Sequence, residues 1–381
     1  MKIAVVGTGS FSHSFIPLFK AHPLVGEVAL ADLASDKLAE AKAQYEIGRT
    51  YPSLEDALAS DVDAVAIFTQ NWMHGPQAEK ALRAGKHVYS AVPAGISGAE
   101  IESLVRAVEE TGRIYMIGET SSYYPGAIYC RERFAAGAFG RVVYSEGDYY
   151  HDWDHGLYEI MKTRAGAEWR TEGGSPPMFY PTHSTGGIVS VLGAHMVSVS
   201  CQGFEDRHED GIYAPGANRY DNRFSCQSAL FRMSDGSSCR INEFRRIGHP
   251  SVERMSMFGT DGGYQNSLAG KTWIDKDGAT RLDEFLDCRT HDGFRDVSLV
   301  HEIGRLPRSF RGLTNGHQGS HQFLVDDFVK AASENRHPLN NVWMAARYVM
   351  PGIVANESSR RGGELLPVPD FGNPPSPTAT R

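Results

Sequence analysis

Lys2-Ile3-Ala4-Val5-Val6-Gly7-Thr8-Gly9-Ser10-Phe11-Ser12 opens the chain, and its reading decides the fold. Four consecutive apolar residues predict a short strand buried on both faces. The strand runs directly into Gly-x-Gly-x-x-Ser, with a small residue in place of a third glycine, and a helix is expected to open there. The first glycine permits a tight turn and the second lets the backbone approach a diphosphate. A helix N-terminus then supplies oriented N–H donors to that anion. Asp32 follows a second apolar run, 28–31. A carboxylate at that place accepts hydrogen bonds from the adenosine ribose hydroxyls and repels a 2′-phosphate. Gly7, Thr8, Gly9, Ser10, Phe11, Ser12 and Asp32 are therefore expected to hold NAD in preference to NADP.

Outward from this stretch, apolar runs recur at 64–68, 87–90 and 114–117, separated by segments of helical spacing such as 53–58 and 75–84. Alternation of this kind predicts a parallel α/β sheet, here a Rossmann domain over residues 1–122. Beyond Tyr124-Pro125 the pattern changes. Residues 141–150, 225–233, 238–244 and 253–258 have strand character, with turn signals at Ser234-Asp235-Gly236 and Gly259-Thr260-Asp261-Gly262-Gly263. Strands without intervening helices predict an α+β domain, 123–366, built on an open, mainly antiparallel mixed sheet. Helices are expected at 321–335 and 342–359. The Pro-rich tail 367–381 is expected to be poorly ordered at its end.

Hydrophobic content of 41% and charged content of 22% are those of an ordinary globular protein. A net charge of −8 argues against nucleic acid or an anionic membrane as the main partner. The five cysteines are scattered and lack Cys-x-x-Cys spacing, so they read as reduced thiols. With the first strand starting at Lys2 and no long apolar run, a cytoplasmic address is expected.

Gly85-Lys86-His87-Val88-Tyr89-Ser90-Ala91-Val92-Pro93-Ala94 resembles the segment that Gfo/Idh/MocA-type oxidoreductases carry after their fifth Rossmann strand. In the family's sugar dehydrogenases that segment ends Glu-Lys-Pro. Here Ala91 and Val92 stand in those places. The resemblance implies a Rossmann domain plus an open mixed sheet, often assembling through that sheet, hence a homo-dimer or homo-tetramer. Gly186-Gly187-Ile188-Val189-Ser190-Val191-Leu192-Gly193-Ala194-His195 is similar to a second family motif, with Val191 where an aspartate is usual. A valine neither shuttles a proton nor polarises a hydroxyl.

Glu168-Trp169-Arg170-Thr171-Glu172 and Phe179-Tyr180-Pro181-Thr182-His183-Ser184, taken with Val92-Pro93-Ala94, are similar to motifs of the NAD-dependent glycoside hydrolases of family 109 and related clades. That resemblance implies transient oxidation of a sugar at C3, elimination of the C1 aglycone, addition of water and re-reduction. It gives Tyr180 the role of base at C2, with His183 and His195 as further catalytic candidates. The alternatives are an NAD-dependent sugar or polyol dehydrogenase and a non-catalytic NAD-binding regulator.

Thr69, Asn71, His74 and Pro93 are expected to border the cofactor, because they follow the fourth and fifth strands. Trp72, His151, Trp153, Arg164, Trp169 and Arg170 are candidates for binding a sugar or glycoside. Plainer readings exist for each: a core tyrosine, satisfied histidines, a packed tryptophan, a surface ion pair. On a strand, His151, Trp153 and His155 would share one face and Asp152 and Asp154 the other; neither set completes a coordination shell, and no metal site is expected. Arg240, Arg245 and Arg246 would suit an acidic sugar such as a sulfoquinovoside if they faced the pocket.

Overall fold

The computed structural model describes residues 1–375. Its first sheet comprises β1 (Lys2–Val6), β2 (Glu27–Ala31), β3 (Arg49–Tyr51), β4 (Ala64–Ile67), β5 (His87–Ser90) and β6 (Tyr115–Ile117). All pairs are parallel, in the order β3-β2-β1-β4-β5-β6. Val6 lies opposite Ala31 on one side and Ile67 on the other. The loops after β1, β2 and β4 therefore leave from one edge, where the strand order reverses and a ligand crevice forms.

One local expectation needs correction. The glycine motif does not lead straight into an α-helix: a 3₁₀ turn, Ser12–Ser14, comes first, and the helix Ile16–Ala21 has only six residues. Pro17 lacks an N–H to bond back into the preceding turn, so regular helix begins around it and not before.

The second sheet contains β7 (Val142–Tyr150), β8 (Met196–Glu205), β9 (Phe224–Met233), β10 (Ser238–Phe244), β11 (Val252–Gly259), β12 (Gly262–Ser267), β13 (Gly270–Asp275) and β14 (Gly278–Arg281). Their order is β14-β13-β12-β11-β7-β10-β9-β8, with Leu366–Pro367 added beyond β8. Only β7 and β10 pair in parallel, so the sheet is mixed and mainly antiparallel, as expected. The strand expected at 141–150 ends at Tyr150, and Trp153–His155 beyond it is a 3₁₀ turn. Asp152 causes the break, because its Oδ1 accepts the Asp154 N–H at 2.9 Å and its Oδ2 accepts the Ile247 N–H at 2.6 Å.

Between β7 and β8 the chain makes a helical excursion that ends in the helix Thr182–Leu192, whose eleven residues are all buried. This helix packs on one face of the sheet. Near the C-terminus, Phe323, Leu324 and Phe328 of the helix Gly316–Glu334 share a core with Ile3, Val5, Phe15, Phe68 and Tyr89 of the Rossmann layer. The Ile117 N–H donates to the Asn340 carbonyl at 2.9 Å, tying β6 to the start of the last long helix, Val342–Arg360. The described part of the tail is anchored by Leu366–Pro367 and by Arg347 on Asp370; residues 376–381, the end expected to be poorly ordered, lie outside the described residues. No described helix is long and apolar enough to cross a membrane.

Candidate active site

Gly7 has φ +88°, and a Cβ there would lie 2.8 Å from the Phe68 carbonyl oxygen, so the first motif position is closed to any side chain. Gly9 differs: a Cβ there meets no atom within 4 Å, and the space before it is open to a bound group. Asp32 fastens the loop. Its Oδ2 accepts the Thr8 N–H at 2.6 Å and the Thr8 hydroxyl at 2.9 Å, while Oδ1 accepts the Ala34 N–H at 2.8 Å. The carboxylate is only half-buried and keeps lone pairs for further donors. The Ser12 hydroxyl donates to the Gly9 carbonyl at 2.8 Å. A carboxylate for ribose hydroxyls beside an uncluttered glycine loop fits NAD and disfavours a 2′-phosphate.

The remaining cofactor candidates act on the loops. His74 is buried, with Nδ1 2.9 Å from the Pro93 carbonyl and Nε2 3.0 Å from the Thr69 carbonyl. It joins the loops after β4 and β5 through the side chain, so its place is in the scaffold of the crevice. The Thr69 hydroxyl donates to Gln77 at 2.6 Å, and Asn71 Oδ1 accepts the Trp72 N–H at 3.0 Å. The Val92-Pro93 bond is cis.

At the far side of the crevice, strand register assembles a cluster that the linear sequence does not display. Tyr149 on β7 lies opposite Glu243 on β10 and opposite Glu253 on β11, so these three project from one face of the sheet. The helix Thr182–Leu192 covers that face, and Gly147 makes the approach possible, since a Cβ there would collide with the Ser184 carbonyl. His183 enters the cluster from this helix. Its ring centroid lies 5.3 Å from that of Tyr180 and 5.2 Å from that of Tyr149.

His183 Nδ1 is 3.0 Å from Oε1 of Glu119, a wholly buried residue just past β6. The same oxygen accepts the Ser121 N–H at 2.8 Å. Burial works against charge on both groups, but their mutual attraction prevails. Glu119 is held below the usual carboxylate range, and His183, with Glu253 adding its field, well above the usual imidazole value. The pair is an imidazolium–carboxylate at neutral pH.

Beside it Tyr149, His151 and Glu243 are neutral. Burial keeps Tyr149 protonated, and its hydroxyl lies 3.0 Å from His151 Nδ1. Burial together with Arg245, Arg164 and His183 pushes His151 down to about 3. The phenol therefore donates to His151 Nδ1, which leaves a hydrogen on Nε2. Burial lifts Glu243 to about 8 in spite of Arg245, whose Nη2 lies 3.2 Å from its Oε2. The Ser184 hydroxyl also donates to Glu243, and the Tyr124 hydroxyl to Glu253.

The structure thus brings Tyr180, His183 and His151 together, and it separates the others. His195 is not in the cluster. It follows the far end of the helix that His183 begins, about 15 Å away at 1.5 Å per residue, and its Nε2 lies 3.9 Å from Asp370. Gly186 and Gly187, which suggested the motif, are packing glycines: their Cβ positions would lie 2.6 Å from Glu119 and 2.8 Å from Met255. Trp153 is 1% exposed and belongs to a small core with Leu157, Ile212 and Tyr213. Trp169 packs on Trp153 and Tyr158, and Arg170 lies over the Trp169 ring and donates to the Asp210 carbonyl at 2.9 Å. These three are braced against one another and the loop near Tyr213.

Trp72 lies under the Arg219 guanidinium, 4.9 Å from its ring centroid, and Arg219 pairs with Glu172 at 3.0 Å. Arg164 is exposed, without a carboxylate partner among the described residues, and near enough to add to burial in depressing His74, His151 and His317. The other arginines considered for an anion are engaged: Arg240 by Glu146, Arg245 by Glu243, and Arg246 by Asp206 and Asp210.

Sequence reading missed Glu119, Tyr149, Glu243, Glu253 and His317. A signal existed for two of them. Cys239, Ile241 and Glu243, and Met257, Met255 and Glu253, are alternating apolar faces that each end in a carboxylate.

Three comparisons bear on this geometry. Residues 1–119 match the model of the Gfo/Idh/MocA oxidoreductase family, NAD-binding Rossmann fold. A glycosyl hydrolase family 109 protein of Saccharopolyspora erythraea is 25% identical over 97% of this chain and 83% of its own length. Among solved structures, levoglucosan dehydrogenase in complex with NADH superposes with a TM-score of 0.77 at 16% identity, covering 97% of this chain and all of that one. Myo-inositol 2-dehydrogenase of Lactobacillus plantarum gives 0.70 at 19% identity, covering 97% and 99%.

Proposed function

We propose that this chain, of the Gfo/Idh/MocA oxidoreductase family in its NAD-binding domain, is an NAD-dependent glycoside hydrolase. The reaction is transient oxidation of a sugar at C3, elimination of the C1 aglycone, addition of water and re-reduction. The observation that carries the reading is the Tyr180–His183–Glu119 cluster, in a chain whose Ala91 and Val92 are apolar and buried. The resemblance to a glycosyl hydrolase family 109 protein over nearly the whole chain supports it.

NAD bound along Gly7–Ser12 supplies a hydride acceptor and donor for the sugar carbon. The protein's own residues handle protons. Tyr180 is the base for the acidified C2–H, with the His183 imidazolium beside it, 5.3 Å between ring centroids. The same imidazolium is a donor for oxygen that gains negative charge, and Glu119 keeps it protonated and oriented. His151 and Tyr149 present neutral polar edges to sugar hydroxyls. An acidic sugar would have to rely on Arg164 or on Arg245, whose partner Glu243 is protonated, since Arg240 and Arg246 already hold carboxylates.

A second reading, an NAD-dependent sugar or polyol dehydrogenase with a relocated base, is supported by the fold shared with levoglucosan and inositol dehydrogenases. The experiment that separates them incubates the protein with catalytic NAD and chromogenic α- and β-glycosides in D₂O. Aglycone release with deuterium at C2 and no net NADH supports the hydrolase. NADH accumulating from a free sugar without cleavage supports the dehydrogenase. Tight NAD binding with neither outcome leaves the regulator. For assembly, we place a homo-dimer or homo-tetramer on the sheet face opposite the Thr182–Leu192 helix, where Leu230 is 57% exposed; a monomer by light scattering would refute it.

A further inference from the structure

The helix Gly316–Glu334 begins with an interruption that its sequence does not require. His317 (φ 49°, ψ 62°), Gln318 (φ 52°, ψ 38°) and Gly319 (φ 88°, ψ 6°) are three successive left-handed residues. For non-glycine residues that conformation is unfavourable, and a turn needing only a reversal would use glycine or asparagine. The strain is held from both sides. Asn315 Nδ2 donates to the Arg295 carbonyl at 3.1 Å, and its Oδ1 accepts the Gln322 N–H at 3.1 Å. Strain maintained in this way points to side chains aimed for a purpose.

Both side chains face the crevice. Gln318 lines the same cavity as Ser121, Tyr124, His183 and Glu253. The His317 ring meets Phe11 of the glycine loop edge-on at 5.6 Å, and it lies nearly parallel to His183, 6.4 Å between centroids at 27°. His317 therefore stands between the cofactor loop and the imidazolium.

Its protonation is dictated from behind. The Gly316 N–H donates to His321 Nδ1 at 3.3 Å, so the hydrogen of neutral His321 resides on Nε2. That Nε2 lies 2.9 Å from His317 Nδ1, which must accept, so the hydrogen of His317 resides on its own Nε2. Burial keeps both rings neutral, pushing His321 down to about 3. Among the described residues, His317 Nε2 has no partner in the chain.

We propose that His317 is a substrate-binding residue, its Nε2–H fixed by the Gly316–His321 relay as a donor to a sugar oxygen, with Gln318 as the adjacent contact. This rests on the glycoside hydrolase reading. The test begins with ¹⁵N-imidazole spectra of the NAD-loaded protein, which should show Nε2–H tautomers for His317 and His321. Adding methyl α- or β-D-glucopyranoside or -galactopyranoside should shift the His317 Nε2 resonance. His317→Asn tolerates the left-handed backbone and should lower kcat/KM at least about tenfold for the chromogenic glycoside that wild type cleaves, with NAD affinity within threefold. His321→Asn should mix the His317 tautomers. An Nδ1–H tautomer at His317, or an unchanged kcat/KM in His317→Asn, overturns the proposal. If wild type cleaves no glycoside, the hydrolase reading fails, and the resonance shift with methyl glycosides alone decides whether His317 binds sugar.

Discussion

The cofactor crevice and the His183 cluster face each other and are built on opposite plans. The crevice is made from contiguous sequence: one strand, one glycine turn, and a carboxylate at the end of the next strand that bonds the turn directly. Its polar groups are open to solvent or bonded to backbone. The cluster draws Glu119, Tyr149, Tyr180, His183, Glu243 and Glu253 from separate segments and buries most of their charge. A site of the first kind binds a polyanion by presenting donors. A site of the second kind sets protonation states, because a low-dielectric surround magnifies each neighbour.

The sharpest way to break that division is Tyr180→Phe. Removing the hydroxyl should cut aglycone release by about 10²–10⁴-fold with NAD affinity retained, measured by chromogenic assay and fluorescence titration. Retained cleavage would take the base away from Tyr180.

Glu119→Gln tests the buried pair by removing the counterion. Breaking such a pair costs about 3–5 kcal/mol when the remaining charge stays buried, and thermal unfolding reads the loss. Its pH dependence has a definite sign. The His183 contribution is complete below its ordinary value of 6.5 and is lost as pH rises through its higher folded value. The Glu119 contribution is present above 4.5 and is lost as pH falls through its lowered folded value. The gap between wild type and variant should therefore be widest between those limits; a gap independent of pH would contradict the ion pair.

On the other side of the crevice, Asp32→Ala removes a charged acceptor of three donors and should weaken NAD binding about 10–100-fold while improving the NADP-to-NAD ratio. Stability and the His183 cluster should be little affected. Glu243→Gln sharpens the contrast differently. Burial pushes wild-type Glu243 up to about 8 from its ordinary 4.5, so the folded state retains its proton while the unfolded state loses it. Stability should fall as pH rises between those values, and Gln, unable to ionise, should flatten that slope in a Tm-against-pH series. The smallest effect is expected for His195→Ala: activity within threefold and at most about 1 kcal/mol of stability, as for a half-exposed contact at 3.9 Å. A larger loss of activity would return His195 to the site.

The crevice was legible in the sequence because each of its parts is a local event. A turn needing φ +88° selects glycine at position 7 wherever the rest of the chain lies, and Asp32 sits at a fixed place after its own strand. Tyr180 and His183 were reached through one short motif that enters the helix Thr182–Leu192, where spacing is also local. Packing sets Trp153, Trp169 and Arg170 against one another and leaves His195 outside the cluster. Trp153 falls in a 3₁₀ turn where strand parity no longer applies, and His195 is carried away by an intervening helix.

From sequence alone come the parallel sheet, the glycine loop, the carboxylate for ribose and the mainly antiparallel second sheet, since each depends on residues a few positions apart. Tertiary structure alone decides that Glu119 charges His183 and that Glu243 stays protonated. It also decides that Arg240 and Arg246 are already paired with carboxylates. Those outcomes depend on strand register and burial, and one residue of register would place Glu243 and Glu253 on the opposite face of the sheet.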